Sequence, residues 1–249
     1  MPTLNDNTSD LLEESPHLAW CGYLSTTGVY GDHGGDWVTE SSELRSRRLA
    51  SRIEAEKDWL SLVTCKRPVG HVFRLAGIYG PGRSALDTVH RGAVSQNNPN
   101  DDVAMSKSTE RETSPPRAAP ESTPIQWVSR VHVDDICRAL LASAARPNYN
   151  PREGSVAIYN VADDAPAPRN EVLNTAAELL GKQIGASSGP LQYQDPGRPS
   201  GRPRAGSREN KRVLAANLIG ELGWEPLYKN HETGLRAILD NEEHAVSPK

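Results

Sequence analysis

Apolar and polar positions along this chain follow two periods, and each marks a different element. Residues 18–30, LAWCGYLSTTGVY, open with a mainly apolar run and end in the small hydroxyls Ser25, Thr26 and Thr27. A short run of this kind predicts a buried strand that runs into a turn. Residues 31–40, GDHGGDWVTE, predict a loop with a Gly-Gly turn. From Ser41 or Ser42, both good N-cap residues, a helix is predicted to about Thr64, with Leu49, Ile53, Leu60 and Val63 as its apolar stripe. Pro68 closes the connection, and 69–79, VGHVFRLAGIY, predicts a second buried strand.

The pattern resumes at 125–133, IQWVSRVHV, as a strand, after which Asp134 is expected to cap the helix DDICRALLASAA. Residues 155–161, SVAIYNV, predict another strand. A helix follows from about Asn170 to Leu180, stopped by Gly181. Two short helices close the chain, about 215–222 with Gly223 as stop and about 231–242. Strands alternating with helices predict an α/β protein with a parallel sheet covered by helices. Two stretches break the pattern. Residues 94–124 are rich in Asn, Asp, Ser, Thr and Pro and predict a low-complexity insertion; 185–210 are Gly/Pro/Arg-rich.

Composition narrows the functional classes. Of 249 residues, 36% are hydrophobic and Phe73 is the single phenylalanine, so the expected core is thin for the length. Lys and Arg total 28 against 32 Asp and Glu, a net charge of −4, which argues against a nucleic-acid or membrane surface. No apolar run reaches membrane-spanning length. Cys21, Cys65 and Cys137 are far apart, with neither metal-ligand nor redox spacing. They read as buried, reduced thiols of an intracellular protein, cytoplasmic by default. The first residues, MPTLNDNTSDLLEE, have neither the basic start nor the apolar stretch of a secretory signal, and they are too acidic for a transit peptide. An organelle stays open if the N-terminus is incomplete.

Residues 80–85, GPGRSA, match the G-x-G-x-x-A spacing of a dinucleotide fingerprint, with Asp101 and Asp102 about where a ribose-binding acid would stand. The context argues for a plain Gly/Pro turn instead. Both acids fall in the low-complexity stretch, and Pro81 removes one backbone N–H from the turn. Asp32, His33 and Asp36 share one loop but are too few to hold a metal, so no metal site is expected.

Several segments in order carry a resemblance: YLSTTGVYGDHGGDWV, FRLAGIYGPGR, SRVHVDDICRAL and IYNVADDAPAPRNEVL, with the tail GWEPLYKNHETGL. Together they resemble the extended short-chain dehydrogenases, the NAD-dependent epimerase/dehydratase-like proteins, in their atypical branch. The resemblance implies a partial Rossmann-like parallel sheet with flanking helices and a small C-terminal substrate-type lobe. It places 18–26 as the fifth strand of that sheet and implies that the first half of the nucleotide-binding domain, with its glycine fingerprint, is not in this chain. The domain division is then a solvated leader at 1–17, the second half of the Rossmann-like domain at 18–93, the insertion at 94–124, and remaining strands with the lobe at 125–244.

The family's chemistry uses a Ser/Thr hydroxyl, a Tyr acting as general acid/base, and a Lys that lowers the phenol pKa and holds the ribose. The resemblance places Thr26 at the hydroxyl position, between Ser25 and Thr27. Counted from Ala55-Glu56, it places Arg48 and Arg52 at the Tyr and Lys positions, i and i+4 on one helix. Arg48 stays protonated and is a poor acid/base, whereas Arg52 keeps a charge for a ribose or phosphate. With Arg45 the two would form one basic helix face, either an anion grip or a solvated surface. Thr26 is either a ligand-facing hydroxyl or a strand-end hydroxyl bonded to the backbone. Cofactor contacts are implied for Ser25, Thr26, Arg52, Ala76, Gly77 and Ile78, and the cofactor for NAD or NADP. Tyr30 and Tyr79 are expected to pack with their hydroxyls on a partner, and His132 either to support a neighbouring site residue or to pack. Arg74, Arg83 and Arg130 stand near strand ends where an anion could sit.

Two functions follow. One is an NAD(P)-binding epimerase/dehydratase-like protein, degenerate in catalysis. The other is a non-catalytic binding module, or a gene fragment, retaining part of the fold. Expected partners are a small anionic or nucleotide ligand, and a second copy or partner chain at an exposed sheet edge.

Overall fold

The structure is a computed structural model that describes residues 18–64, 69–91, 94–95, 125–145, 156–181, 192–193 and 209–246. The predicted leader, residues 96–124 of the predicted insertion, Cys65 and most of 185–210 lie outside the described residues. In chain order the elements are β1 (Trp20–Thr26), a 3-10 turn (Thr27–Tyr30), β2 (Trp37–Val38), α1 (Ala50–Thr64), β3 (Val69–Leu75) and β4 (Gly77–Tyr79). Then come α2 (Ala85–His90), β5 (Val94–Ser95), β6 (Trp127–Val128), β7 (Arg130–His132), α3 (Val133–Ala144), β8 (Val156–Val161) and β9 (Ala167–Pro168). The last are α4 (Arg169–Leu179), β10 (Gln192–Tyr193), β11 (Arg212–Val213), α5 (Ala216–Leu222) and α6 (His231–Val246).

The fold is α/β, with a Rossmann-like parallel sheet of order β1-β3-β8 and flanking helices. Trp20 pairs with Val69 and Thr26 with Leu75, while Gly70 pairs with Val156 and Leu75 with Val161. Every residue of β3 is buried, as a central strand covered on both faces requires. Short pairs complete the framework: β2 with β11, β4 with β7, β6 with β9, and β5 with β10.

Two apolar cores result. The first packs Phe73, Tyr159, Val131, Ala139, Leu218 and Trp224 around the sheet. The second packs Tyr79, Leu86, Ala167, Leu173, Leu235 and Ile238 in the lobe built by α2, α4 and α6. Gly223, left-handed at φ 61°, ends α5 as its position in the sequence predicts. Among the described residues no helix is long and apolar enough to cross a membrane.

Several elements differ from expectation for local reasons. The strand predicted over 18–30 stops at Thr26, whose Oγ1 accepts from Gly28 N at 3.1 Å and starts the 3-10 turn. The run 69–79 divides at Ala76, where β4 leaves the sheet to pair with β7. The helix expected from Ser41 or Ser42 begins at Ala50. Ser42 Oγ instead accepts from Thr39 N at 2.9 Å, and Arg45 N and Ser46 N are held by the carbonyls of Tyr30 and Val29. Asp134 sits in the first turn of α3 rather than capping it; His132 is the cap, its Nδ1 accepting from Asp134 N at 3.2 Å. Cys137 is exposed, against the expectation of a buried thiol, because it falls on the outer face of α3. Cys21 is half-buried, and burial pushes its thiol up to about 11.

The close seat of α1 on β3 depends on Gly70. A Cβ there would lie 2.2 Å from Val63 Cγ1 and 3.1 Å from Trp59. Gly70→Ala is therefore expected to destabilise the fold by about 1–3 kcal/mol. The measurement is the urea midpoint, and pairing the change with Val63→Ala should recover part of the loss.

Candidate active site

Open α/β sheets bind ligands outside the carboxyl ends of their strands. Here those ends are Thr26, Leu75 and Val161, aligned in one row. Thr26 is half-buried, and its oxygen is used as an acceptor by Gly28 N. Its hydroxyl hydrogen is still able to donate to a ligand oxygen, so the backbone role and the ligand role use different atoms. Ser25 is buried and turned the other way, its Oγ donating to Glu56 Oε2 at 3.4 Å.

Ala76, Gly77 and Ile78 form the crossover from β3 to β4. The N–H of Ala76 is spent on Val161 O and that of Gly77 on Ser129 O, both at 3.0 Å. Gly77 and Ile78 are exposed, so this segment can offer a surface to a ligand but neither of those two donors. The stretch GPGRSA closes on itself: Gly80 N donates to Arg83 O and Arg83 N to Gly80 O. Ser84 then caps the six-residue α2 in a reciprocal box with Asp87. The turn expected there is present.

Arg48 and Arg52 do not form the expected i, i+4 pair of one helix, because α1 starts between them at Ala50. Arg48 is exposed with Nη2 3.8 Å from Glu209 Oε1, and Arg45 pairs with Glu43 at 2.9 Å. The basic helix face expected from the three arginines is thereby broken up. Arg52 is exposed on α1. Among the described residues no hydrogen bond or ion pair joins either Arg48 or Arg52 to Ser25 or Thr26.

What the structure does bring together beneath the strand ends is a buried polar network. Arg74, 4% exposed, donates through Nε to Glu56 Oε1 at 2.7 Å and through Nη1 to Tyr30 Oη at 3.0 Å and the Glu40 carbonyl at 3.2 Å. Tyr30 Oη donates to Asn160 Oδ1 at 2.7 Å, and Asn160 Nδ2 to the Leu214 carbonyl at 3.0 Å. Burial raises the Tyr30 phenol, partly offset by Arg74. A fully buried phenol with its hydrogen already committed is no general acid for a ligand. Tyr79 is also raised by burial, and then by the carboxylates of Asp163 and Asp135. Arg74 and Arg130, expected near an anion, are both directed inward. Arg130 Nη1 binds the carbonyls of Val128 and Ala167 at 2.9 and 2.8 Å.

Glu56, Glu40, Asn160 and Lys211 were not expected here. Glu56 had a signal in the sequence: it fills the gap in the stripe Leu49, Ile53, Leu60, Val63. Lys211, whose amine is lowered by burial, donates to Gly31 O at 3.0 Å and lies 3.3 Å from Glu209 Oε2. Among the described residues there is no group of three or more His, Cys, Asp or Glu that could hold a metal.

A functionally unknown conserved protein from Silicibacter pomeroyi DSS is 34% identical, with 97% of this chain and 73% of that one covered and a TM-score of 0.64. This chain belongs to the same family as that protein. A putative NAD-dependent epimerase/dehydratase from Methylobacillus flagellatus is 23% identical, covering 95% and 69% of the two chains, TM-score 0.61. The dTDP-glucose 4,6-dehydratase of Bacillus anthracis str. Ames, solved with NAD, is 20% identical, covering 96% and 66%, TM-score 0.62. The chain thus has the NAD-dependent epimerase/dehydratase fold and spans between 66% and 73% of the length of these three proteins. No protein-family model and no curated protein matches the sequence.

In this epimerase/dehydratase-like fold the Arg74–Glu56 pair lies where helix meets central strand. Arg74→Met is expected to leave Glu56 buried and unpaired and to cost about 3–5 kcal/mol. Urea denaturation checks it, and adding Glu56→Met should return most of the loss. Thr26→Ala is expected to cost about 1 kcal/mol through the lost cap, with Thr26→Ser close to neutral in the same measurement.

Proposed function

We propose that this chain is an NAD(P)-binding protein of the epimerase/dehydratase type that binds a nucleotide-like ligand at the strand ends and does not perform the family's proton transfer. One observation carries the reading. The hydroxyl of Thr26 lies at the carboxyl end of β1, while Arg48 and Arg52, which the family resemblance assigns to the positions of its phenol and ammonium partners, share no helix and among the described residues make no bond to it. Neither Tyr30 nor Tyr79 substitutes, since both are buried and raised. Loss of a positioned general acid/base removes about 10²–10⁴-fold in rate.

The described residues suit one end of a dinucleotide better than its pyrophosphate. Thr26 can donate to a ligand oxygen, Gly77 and Ile78 offer an exposed surface, and Arg52 is an exposed cation for a ribose or phosphate. NAD and NADP are the cofactors proposed, by analogy with relatives whose structures contain NAD or NADPH.

A second reading, a non-catalytic interaction module, is favoured by the edges of the sheet. The outer edge of β8 is closed by side chains, with Glu40 Oε1 accepting from Asn160 N at 3.0 Å and Asn217 Nδ2 donating to Ile158 O at 3.2 Å. β1 pairs on one side alone among the described residues, so its other edge is open to a second strand.

Titration with NADH and NADPH separates the two. Under the first reading the thermal midpoint rises, by about 2.7 kcal/mol of stabilisation at a hundredfold excess over Kd, with no turnover of added nucleotide sugars. Turnover with wild-type protein would overturn the claim of lost proton transfer. No shift with either dinucleotide at millimolar concentration would overturn cofactor binding and leave the interaction module, for which light scattering against protein concentration is the readout.

A further inference from the structure

The two apolar cores meet along a polar seam that the described residues cross three times. Ala76, Val131 and Ala162 belong to the sheet core, and Tyr79 and Ala167 to the lobe core. With Trp224 in the sheet core and Leu235 in the lobe core, the crossings are Ala76–Tyr79, Ala162–Ala167 and Trp224–Leu235; Tyr79 and Asp163 lie on them, and Arg130 and His132 lie beside them on β7, which pairs with β4. Bonds across the seam hold the lobe in place. Arg130 Nη1 grips the carbonyl of Ala167, and Asp163 N donates to Arg130 O at 2.7 Å. Asp135 accepts from Leu227 N at 2.6 Å and Tyr228 N at 3.0 Å, and Asp164 N donates to Lys229 O at 3.3 Å.

Asp163 does not fit the pattern of its neighbours. Its side chain is buried, with the residue 3% exposed. Oδ1 accepts from Ala165 N at 3.4 Å, but Oδ2 has no hydrogen-bond partner among the described residues. The cation that faces it, Arg130, already commits Nη1 to two carbonyls. Compare Asp135, whose carboxylate receives two backbone N–H groups and Arg138. A carboxylate at Asp163 would be buried with little compensation, whereas a neutral acid would not.

We propose that Asp163 is a proton-controlled latch between the two cores: as the neutral acid it lets the lobe sit on the sheet, and as the carboxylate it favours a state in which the seam opens to water. The same burial pushes this carboxyl up to about 8. In an open seam it would return toward about 3.9. Protonation thus favours the closed state. The opening equilibrium rises by up to about tenfold per pH unit between those two values and levels off above about pH 8.

Other groups facing the seam act elsewhere in pH or do not titrate there. Arg130 on β7 favours the carboxylate, while Asp164 on the same loop and Asp135 on α3 oppose it. Tyr79 on β4 is raised by burial and stays neutral in this range. From α4 and α6, the charges of Arg169 and Glu171 act on Arg130, and Arg130 in turn acts on His231. Burial lowers both His132 and His231, so they favour opening only below about pH 6.5 and work in the opposite direction. The interval from about pH 7 to 8 belongs to Asp163.

Hydrogen exchange on the full chain, followed by mass spectrometry from about pH 6.5 to 9 and corrected for the chemical exchange rate, tests this. Peptides from α4 and α6 should show opening that rises up to about tenfold per pH unit and flattens above about pH 8, while β3 peptides stay protected. Asp163→Asn should abolish the slope, and Asp164→Asn should keep it. The latch is wrong if the wild-type lobe shows no slope, if Asp163→Asn keeps it, or if Asp164→Asn loses it equally. Should Asp163→Asn fail to fold, the wild-type infrared spectrum decides. A protonated carboxylic acid C=O band at neutral pH, lost above about pH 9, supports the latch, and its absence at neutral pH overturns it.

Discussion

Arg74 on the central strand needs a carboxylate within reach, and the position of α1 follows from that requirement. Gly70 and Arg74 are four residues apart on β3 and so point to one face; Glu56 and Val63 are two helical turns apart on α1 and so share one side. Seven helical residues and four strand residues span similar lengths, about 10 and 13 Å. Val63 therefore lies over Gly70 while Glu56 meets Arg74, and α1 runs antiparallel to β3. Small at one end and ionic at the other, this contact fixes both the height and the register of the helix. A buried ion pair adds little net stability over apolar residues of the same volume, but it penalises every arrangement that separates its partners.

The same guanidinium determines what the strand ends have available for chemistry. Its Nη1 draws in the Tyr30 hydroxyl and the Glu40 carbonyl, which brings the 3-10 turn and the following loop down onto the sheet. Tyr30 passes the connection to Asn160 on β8, and Glu40 returns to the backbone of Asn160. Polar groups that would be conspicuous at an active site are in this way consumed as structure. Thr26 escapes because its partner, Gly28 N, occupies the oxygen and not the hydrogen.

Legibility in the sequence tracks how local the determinant is. The strands at 20–26, 69–75 and 156–161 carry their apolar runs within themselves, and the Gly223 stop of α5 depends on a single backbone conformation. The start of α1 is not legible, because the serines that should cap it are bonded within a turn, and residues 45–46 answer to the distant carbonyls of Tyr30 and Val29. His132 took the cap expected of Asp134 because an imidazole nitrogen can accept as a carboxylate does. The two-residue strands β2 and β11 have no periodicity to read, since they exist only as a pair between positions about 175 residues apart. Of the candidate site, the place of Thr26 at the end of its strand is legible in the apolar run that leads to it. Glu56 was visible only as the missing member of an apolar stripe, a gap that the identity of its partner on β3 explains.

The two buried polar clusters differ in how charge is compensated, and this separates their roles. At Arg74 a carboxylate, a phenol and a carbonyl converge, so the charge has no better environment to seek and the helix–strand contact is rigid. At Asp163 one oxygen is without a partner among the described residues, and the nearby guanidinium holds backbone carbonyls instead. Any change that gives that oxygen water or a proton alters the energy of the closed seam. The compensated cluster lies beneath the strand ends, against β1, and the under-compensated one lies between the two cores, where the proposed latch would act. A single substitution that moved a cation to Asp163 Oδ2 would turn the second cluster into the first, and the lobe would then be fixed to the sheet as α1 is.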